Sequence, residues 1–116
     1  MSGIVFFGTN DLSRLKKFYT KRIGARIWKD QGDCIIFRKG DFCFAFCERG
    51  GKPETCGIIT FIFDGREPVD KIYHRLVDIA EGEPESRVPN YNIYQFFGKD
   101  PEGRTLEFQC FLDGSE

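Results

Sequence analysis

An α+β fold of two βαβββ modules is what this sequence predicts, and three observations predict it. The order strand, helix, three strands can be read twice along the chain. A polar stretch with two glycines and a proline, Arg49 to Thr55, separates the two readings. The turn Asp100-Pro101-Glu102-Gly103 runs directly into an alternating strand, which closes the second reading as Phe42 to Glu48 closes the first.

The first module is placed at 1–48. Ile4 to Gly8 reads as a short apolar strand. Thr9, Asn10 and Asp11 offer side-chain oxygens to cap a helix from about Asp11 to Arg22, on which Leu12, Leu15, Phe18, Tyr19 and Ile23 form one apolar stripe. Gly24 ends that helix. Ala25 to Lys29, Cys34 to Lys39 and Phe42 to Glu48 are the three strands, the last two joined as a hairpin through Lys39-Gly40-Asp41. Residues 49–55 are expected to be a linker.

The second module is placed at 56–116, the two making a single domain. Cys56 to Phe63 is its first strand. Pro68 suits the first turn of a helix reaching about Ala80, with Val69, Ile72, Tyr73, Leu76 and Val77 on the buried side. Pro84 to Val88, Asn92 to Gly98 and Arg104 to Phe111 complete the module. In the last of these, Thr105, Glu107 and Gln109 share one face, and Leu106, Phe108 and Cys110 the other.

The 116 residues suit one domain, and 41% hydrophobic residues with 13 phenylalanines supply a substantial core. A formal charge of −1 gives no support to nucleic acid or an anionic membrane as the main partner. The basic run from Arg14 to Lys29 is read as a solvated helix face. No apolar run is long enough to span a bilayer, and Ile4 to Phe7 is too short for a signal-peptide core, so the expected location is the cytoplasm. Five cysteines without a CxxC pair are read as reduced, mostly packed thiols. Cys43 and Cys47 share a strand face but lie ~13 Å apart, too far to share one metal ion.

Asn10-Asp11-Leu12, Phe18-Tyr19 and Ile23-Gly24 at one end, and Asp100-Pro101-Glu102-Gly103 followed by Leu106-Glu107-Phe108 at the other, resemble the vicinal oxygen chelate superfamily. This is the group of glyoxalases, bleomycin-resistance proteins and extradiol dioxygenases. The resemblance implies curled mixed sheets around a concave cavity, and a homodimer. Metal-dependent members of the family carry four ligands on the concave face. Here those positions fall near Ile4, Ala45 and Ile58, which cannot bind a metal, and at Glu107, which can.

The one histidine, His74, belongs on the second helix, away from the cavity. The expectation is therefore a small, mainly apolar ligand held without a cofactor, as in a bleomycin-resistance protein. The ligand-lining residues are expected to be Ile4, Phe6, Cys43, Cys47, Ile58, Thr60, Tyr94 and Glu107. Glu107 would orient a cationic or hydroxyl group, or be hydrogen-bonded to Thr60, Tyr94 or a backbone amide. A reactive thiol at Cys43 or Cys47 lacks an activating base. Two alternatives accompany this reading. One is a glyoxalase-type lyase, isomerase or dioxygenase, with a divalent metal on Glu107 and further ligands from cysteine or from Glu48 of a second copy; the other is a protein-interaction module.

Overall fold

The computed structural model describes residues 2–87 and 90–112. The chain divides between Thr55 and Cys56 into two compact units. Each is a βαβββ module.

In the first module, β1 (Ile4–Thr9) leads into α1 (Leu12–Lys17). The Asp11 carboxylate accepts from Arg14 N at 3.1 Å, and Glu48 Oε1 accepts from Leu12 N at 2.9 Å, so two of the free amides at the helix start are satisfied. The helix then widens into a π-helical segment, Phe18–Ile23, that ends on Gly24 in the left-handed conformation at φ 83°. This widened segment sets Phe18, Tyr19 and Ile23 into the core together. Tyr19 is the hub of that core, with ring centroids 4.9 Å from Phe46 and 5.3 Å from Phe44.

Strands β2 (Arg26–Asp30), β3 (Cys34–Lys39) and β4 (Phe42–Glu48) complete a sheet of order β1-β4-β3-β2, in which β1 and β4 run parallel. Cys34 lies opposite Cys47 on β3 and β4, and the two form a disulfide. This corrects the expectation that these two thiols are reduced. Odd-number arithmetic cannot detect one cross-strand pair that leaves three free cysteines: Cys43 and Cys110, both buried, and the exposed Cys56. Residues 49–55 form no strand or helix, but they are not a loose linker. Glu54 N donates to Gly8 O at 2.9 Å, and Glu54 Oε1 accepts from Gly8 N at 2.6 Å, which fastens this stretch to β1.

The second module repeats the order with β5 (Ile58–Phe63), α2 (Arg66–Arg75), β6 (Glu85–Arg87), β7 (Ile93–Lys99) and β8 (Thr105–Phe111). Its sheet runs β5-β8-β7-β6, with β5 and β8 parallel. Val69, Ile72 and Leu76 of the α2 region are buried against it, whereas Val77 is exposed because the helix stops at Leu76 rather than continuing to Ala80. Beyond it the chain bridges onto β7 at Gly98. A Cβ at Gly98 would stand 3.1 Å from Ile79 O, so any larger residue at this crossing would have to push the Ile79 backbone back by a few tenths of an ångström. Val88, the last residue of the expected strand at 84–88, lies outside the described residues.

Leu106, Phe108 and Cys110 are buried beneath α2, with Phe108 stacked on Phe96 at 4.8 Å and on Phe61 at 5.6 Å. The turn before β8 is held by a group whose role the sequence did not disclose. Arg104 is fully buried, its Nη1 is 2.7 Å from Asp100 Oδ2 and its Nη2 is 3.1 Å from Glu102 Oε1. Asp100 Oδ1 also accepts from the amides of Glu102 and Arg104, and Gly103 takes φ 87° to close the turn.

A candidate ligand site on the second module

The face of the second sheet opposite α2 is built in cross-strand rows. Arg87, Ile93 and Phe111 form one row, Glu85, Gln95, Gln109 and Ile62 the next, and Phe97, Glu107 and Thr60 the third. Glu107 sits in mid-sheet because the buried Leu106 and Phe108 on either side of it fix the strand's phase. Its Oε1 accepts from Thr60 Oγ1 at 2.9 Å and from Gln109 Nε2 at 3.1 Å. Its Oε2 accepts no hydrogen bond among the described residues.

A cavity of about 600 Å³ opens over this carboxylate. Ile58, Ile93, Phe97 and Phe111 supply apolar walls, Glu107 and Gln109 the polar floor, and Arg87 and Tyr91 the rim. The rim is placed by the β6–β7 hairpin, where Arg87 O accepts from Tyr91 N at 3.3 Å and from Asn92 N at 2.7 Å. Asn92 takes φ 55°, a left-handed conformation that asparagine tolerates better than most residues. Beside the cavity, Gln95 is 2% exposed and its Oε1 has no hydrogen-bond partner among the described residues.

Of the residues expected to line a ligand, Ile58 and Glu107 line this cavity, and Thr60 anchors Glu107 from the neighbouring strand. Tyr94 lies on the opposite face. Its hydroxyl donates to Asp70 Oδ1 at 2.5 Å and the Arg66 guanidinium lies 4.9 Å from its ring centroid. The Asp70 hydrogen bond, assisted by burial, raises the phenol from 10.0 to about 12. Strand β7 therefore presents Ile93, Gln95 and Phe97 to the cavity side, one residue out of phase with the expectation.

Ile4, Phe6, Cys43 and Cys47 belong to the first module. Ile4 and Phe6 are exposed, Cys43 is buried, and Cys47 is buried in its disulfide. The rim residues Arg87 and Tyr91 went unrecognised in the sequence because Arg87 ends the shortest strand and Tyr91 lies in the turn after it. Gln109 and Phe111, by contrast, follow from the two-residue period counted from Glu107.

The register also bears on metal binding. Directly beside Glu107 stands Thr60 rather than Ile58, which pairs with Thr105. The corresponding pair in the first module is Phe6 and Ala45. Within the second module, the donor set near Glu107 is one carboxylate, a hydroxyl and an amide. Among the described residues no three histidine, cysteine, aspartate or glutamate side chains converge. His74 lies exposed on α2, beside Tyr73. This donor set does not fit the four-ligand divalent site of the metal-dependent glyoxalases.

The whole chain superposes on a glyoxalase/bleomycin resistance protein/dioxygenase from Nocardioides with a TM-score of 0.77, covering 86% of that chain at 17% identity. The chain has the vicinal oxygen chelate fold. A glyoxalase/bleomycin resistance protein/dioxygenase family enzyme from Burkholderia phytofirmans PsJN matches 94% of this chain and 97% of its own at 20% identity and a TM-score of 0.76. Lactoylglutathione lyase from Agrobacterium tumefaciens matches 95% of this chain and 91% of its own at 18% identity and a TM-score of 0.71. At such identities the likeness speaks for the vicinal oxygen chelate architecture and not for a shared reaction. No protein-family model matches the chain. No curated protein matches it by sequence.

Proposed function

We propose that the protein is a non-enzymatic binder of a small, mainly apolar molecule, held without a metal on the open face of the second module. The observation that carries this reading is the cavity itself: about 600 Å³, walled by aliphatic and aromatic side chains around one carboxylate. Apolar burial supplies affinity, and the free oxygen of Glu107 orients a cationic or hydroxyl group of the ligand. The Thr60 and Gln109 hydrogen bonds hold that carboxylate in place before the ligand arrives.

Titration with 2-phenylethylamine by calorimetry tests the reading. Saturable binding that Glu107→Gln weakens about tenfold is expected, the loss of one charge-assisted hydrogen bond. Absence of binding in the native protein would overturn it. The competing reading, a metal-dependent lyase, isomerase or dioxygenase, requires near-stoichiometric zinc, nickel, manganese or iron in the purified protein, lost in the same variant. Elemental analysis separates the two.

A homodimer is part of the proposal. Its support is the apolar surface left on the two edge strands β1 and β5, where Phe6 is 45% exposed and Ile58 and Ile62 are each 57% exposed. Analytical ultracentrifugation tests it, with a monomer at micromolar concentration as the failing result. The proposed location is the cytoplasm, where a bond such as Cys34–Cys47 is rare and usually transient or redox-sensing. Alkylation of cysteines in fresh lysate reads this directly: full protection of Cys34 and Cys47 would count against that compartment. No described helix is long and apolar enough to cross a membrane.

A further inference from the structure

Two opposite charges line the cavity, and neither neutralises the other. Glu107 belongs to the row of Phe97 and Thr60, whereas Arg87 belongs to the row of Ile93 and Phe111. Two strand spacings across the sheet and four residues along it place their Cα atoms roughly 16 Å apart. Side chains of this length reaching toward one another leave a gap of several ångströms, and the walls of that gap are Ile93, Phe97 and Phe111.

Each charge retains capacity for a ligand. Glu107 Oε2 is unengaged among the described residues. Arg87 has a single ion pair among them, to Glu85 Oε1 at 3.5 Å, with side chains 46% and 67% exposed. So exposed a pair is weak, and a guanidinium has five N–H donors, enough to take a second carboxylate in a fork geometry. Tyr91 stands beside it on the rim, 69% exposed, an aromatic surface with no ring partner among the described residues.

We propose that the ligand is an elongated zwitterion: an aromatic or similarly flat apolar body, with an ammonium or amidinium group at the Glu107 end and a carboxylate at the Arg87 end. This rests on the binding function proposed above and adds the second pole. A ligand with only a cation leaves Arg87 unused. One with only an anion leaves the Glu107 carboxylate covered by an apolar body with no cation to offset its charge, an unfavourable state.

The test uses three probes of one scaffold on the full-length protein: 4-(2-aminoethyl)benzoate, with both charges at opposite ends; 2-phenylethylamine, with the cation alone; and benzoate, with the anion alone. Calorimetry is expected to show the zwitterion binding at least about tenfold more tightly than 2-phenylethylamine, the gain of a charge-assisted contact. Benzoate is expected to bind more weakly than either. Arg87→Gln should abolish the preference for the zwitterion, bringing its affinity down to that of 2-phenylethylamine. Since Arg87 is on the surface, this variant is not expected to perturb folding.

Equal affinity of the zwitterion and 2-phenylethylamine would overturn the second pole and leave the cation-binding reading standing. A preference that survives Arg87→Gln would overturn the role of Arg87. If none of the probes binds, both readings fall, and tight binding of benzoate alone would sink the Glu107 end while retaining an anion site.

Discussion

The two modules share strand order, pairing pattern and the position of their helices, yet they present different faces opposite those helices. In the first, β4 offers Cys43, Ala45 and Cys47, all buried, with a disulfide at one end. In the second, the same places on β8 hold Thr105, Glu107 and Gln109, all partly exposed. Phe6 beside Ala45 becomes Thr60 beside Glu107. One backbone plan thus carries a row of buried small residues in one copy and a ligand-sized cavity with a polar floor in the other. The difference lies in a few side chains on alternating positions, while the core positions between them stay large and apolar: Phe44 and Phe46 in one module, Leu106 and Phe108 in the other.

The modules also differ in what holds their last hairpin, and this gives the largest expected effect. The β3–β4 turn is short, with Lys39 opposite Phe42. The β7–β8 connection instead depends on the buried Arg104 and its carboxylates. Asp100→Asn, which leaves Arg104 with much of its charge unpaired, should destabilise the second module by about 3–5 kcal/mol in urea unfolding, the usual cost of breaking a buried pair. A loss under about 1 kcal/mol would show that the turn holds without the pair.

Next in size is the disulfide of the first module. Replacing Cys34 and Cys47 together with serine should cost about 2–3 kcal/mol, as expected for a short closed loop. Binding of 2-phenylethylamine should be unchanged, because the candidate site is built from the other module. Weakened binding would mean that the comparison drawn here understates the role of the first module.

A smaller effect is expected at the cavity. Thr60→Val removes one of the two hydrogen bonds orienting Glu107 and should weaken 2-phenylethylamine by about fivefold, near 1 kcal/mol. The counterpart change Phe6→Ala should leave affinity within about twofold, since Phe6 is exposed and does not line the cavity, and such surface changes have effects near 0.5 kcal/mol. Equal losses at both positions would break the assignment of the ligand to one module.

The last comparison concerns Tyr94, whose effect appears only at alkaline pH. Its phenol is raised to about 12 in the folded chain from 10.0, so the folded state holds the proton more tightly than the unfolded state. The resulting contribution to stability is complete below pH 10 and is lost as pH rises from 10 toward 12. Ultraviolet difference titration against Tyr94→Phe should locate this ionisation near the upper value, and Asp70→Asn should move it down. No movement on Asp70→Asn would remove the hydrogen bond as the cause.

The fold was legible because it rests on local patterns: apolar periods of two and near four, helix caps at Asp11, and a turn at Asp100 to Gly103. Glu107 was legible for the same reason, since the alternation of Leu106, Phe108 and Cys110 leaves it only one face. Tyr94 was misread because β7 has apolar residues on both faces, so its phase depends on which neighbour each side chain meets. The same limit hid Arg87 and Tyr91, whose relevance comes from a hairpin that brings them over β8.

The sequence by itself determined the twofold βαβββ order, the core stripe of each helix and the phase of β8, because each follows from the covalent periodicity of a single segment. Only the tertiary structure decided that Cys34 meets Cys47, that Arg104 is buried, and that Thr60 rather than Ile58 stands beside Glu107. These depend on strand pairing between residues distant in sequence. A shift of a single position in that pairing would exchange every neighbour without altering any local pattern.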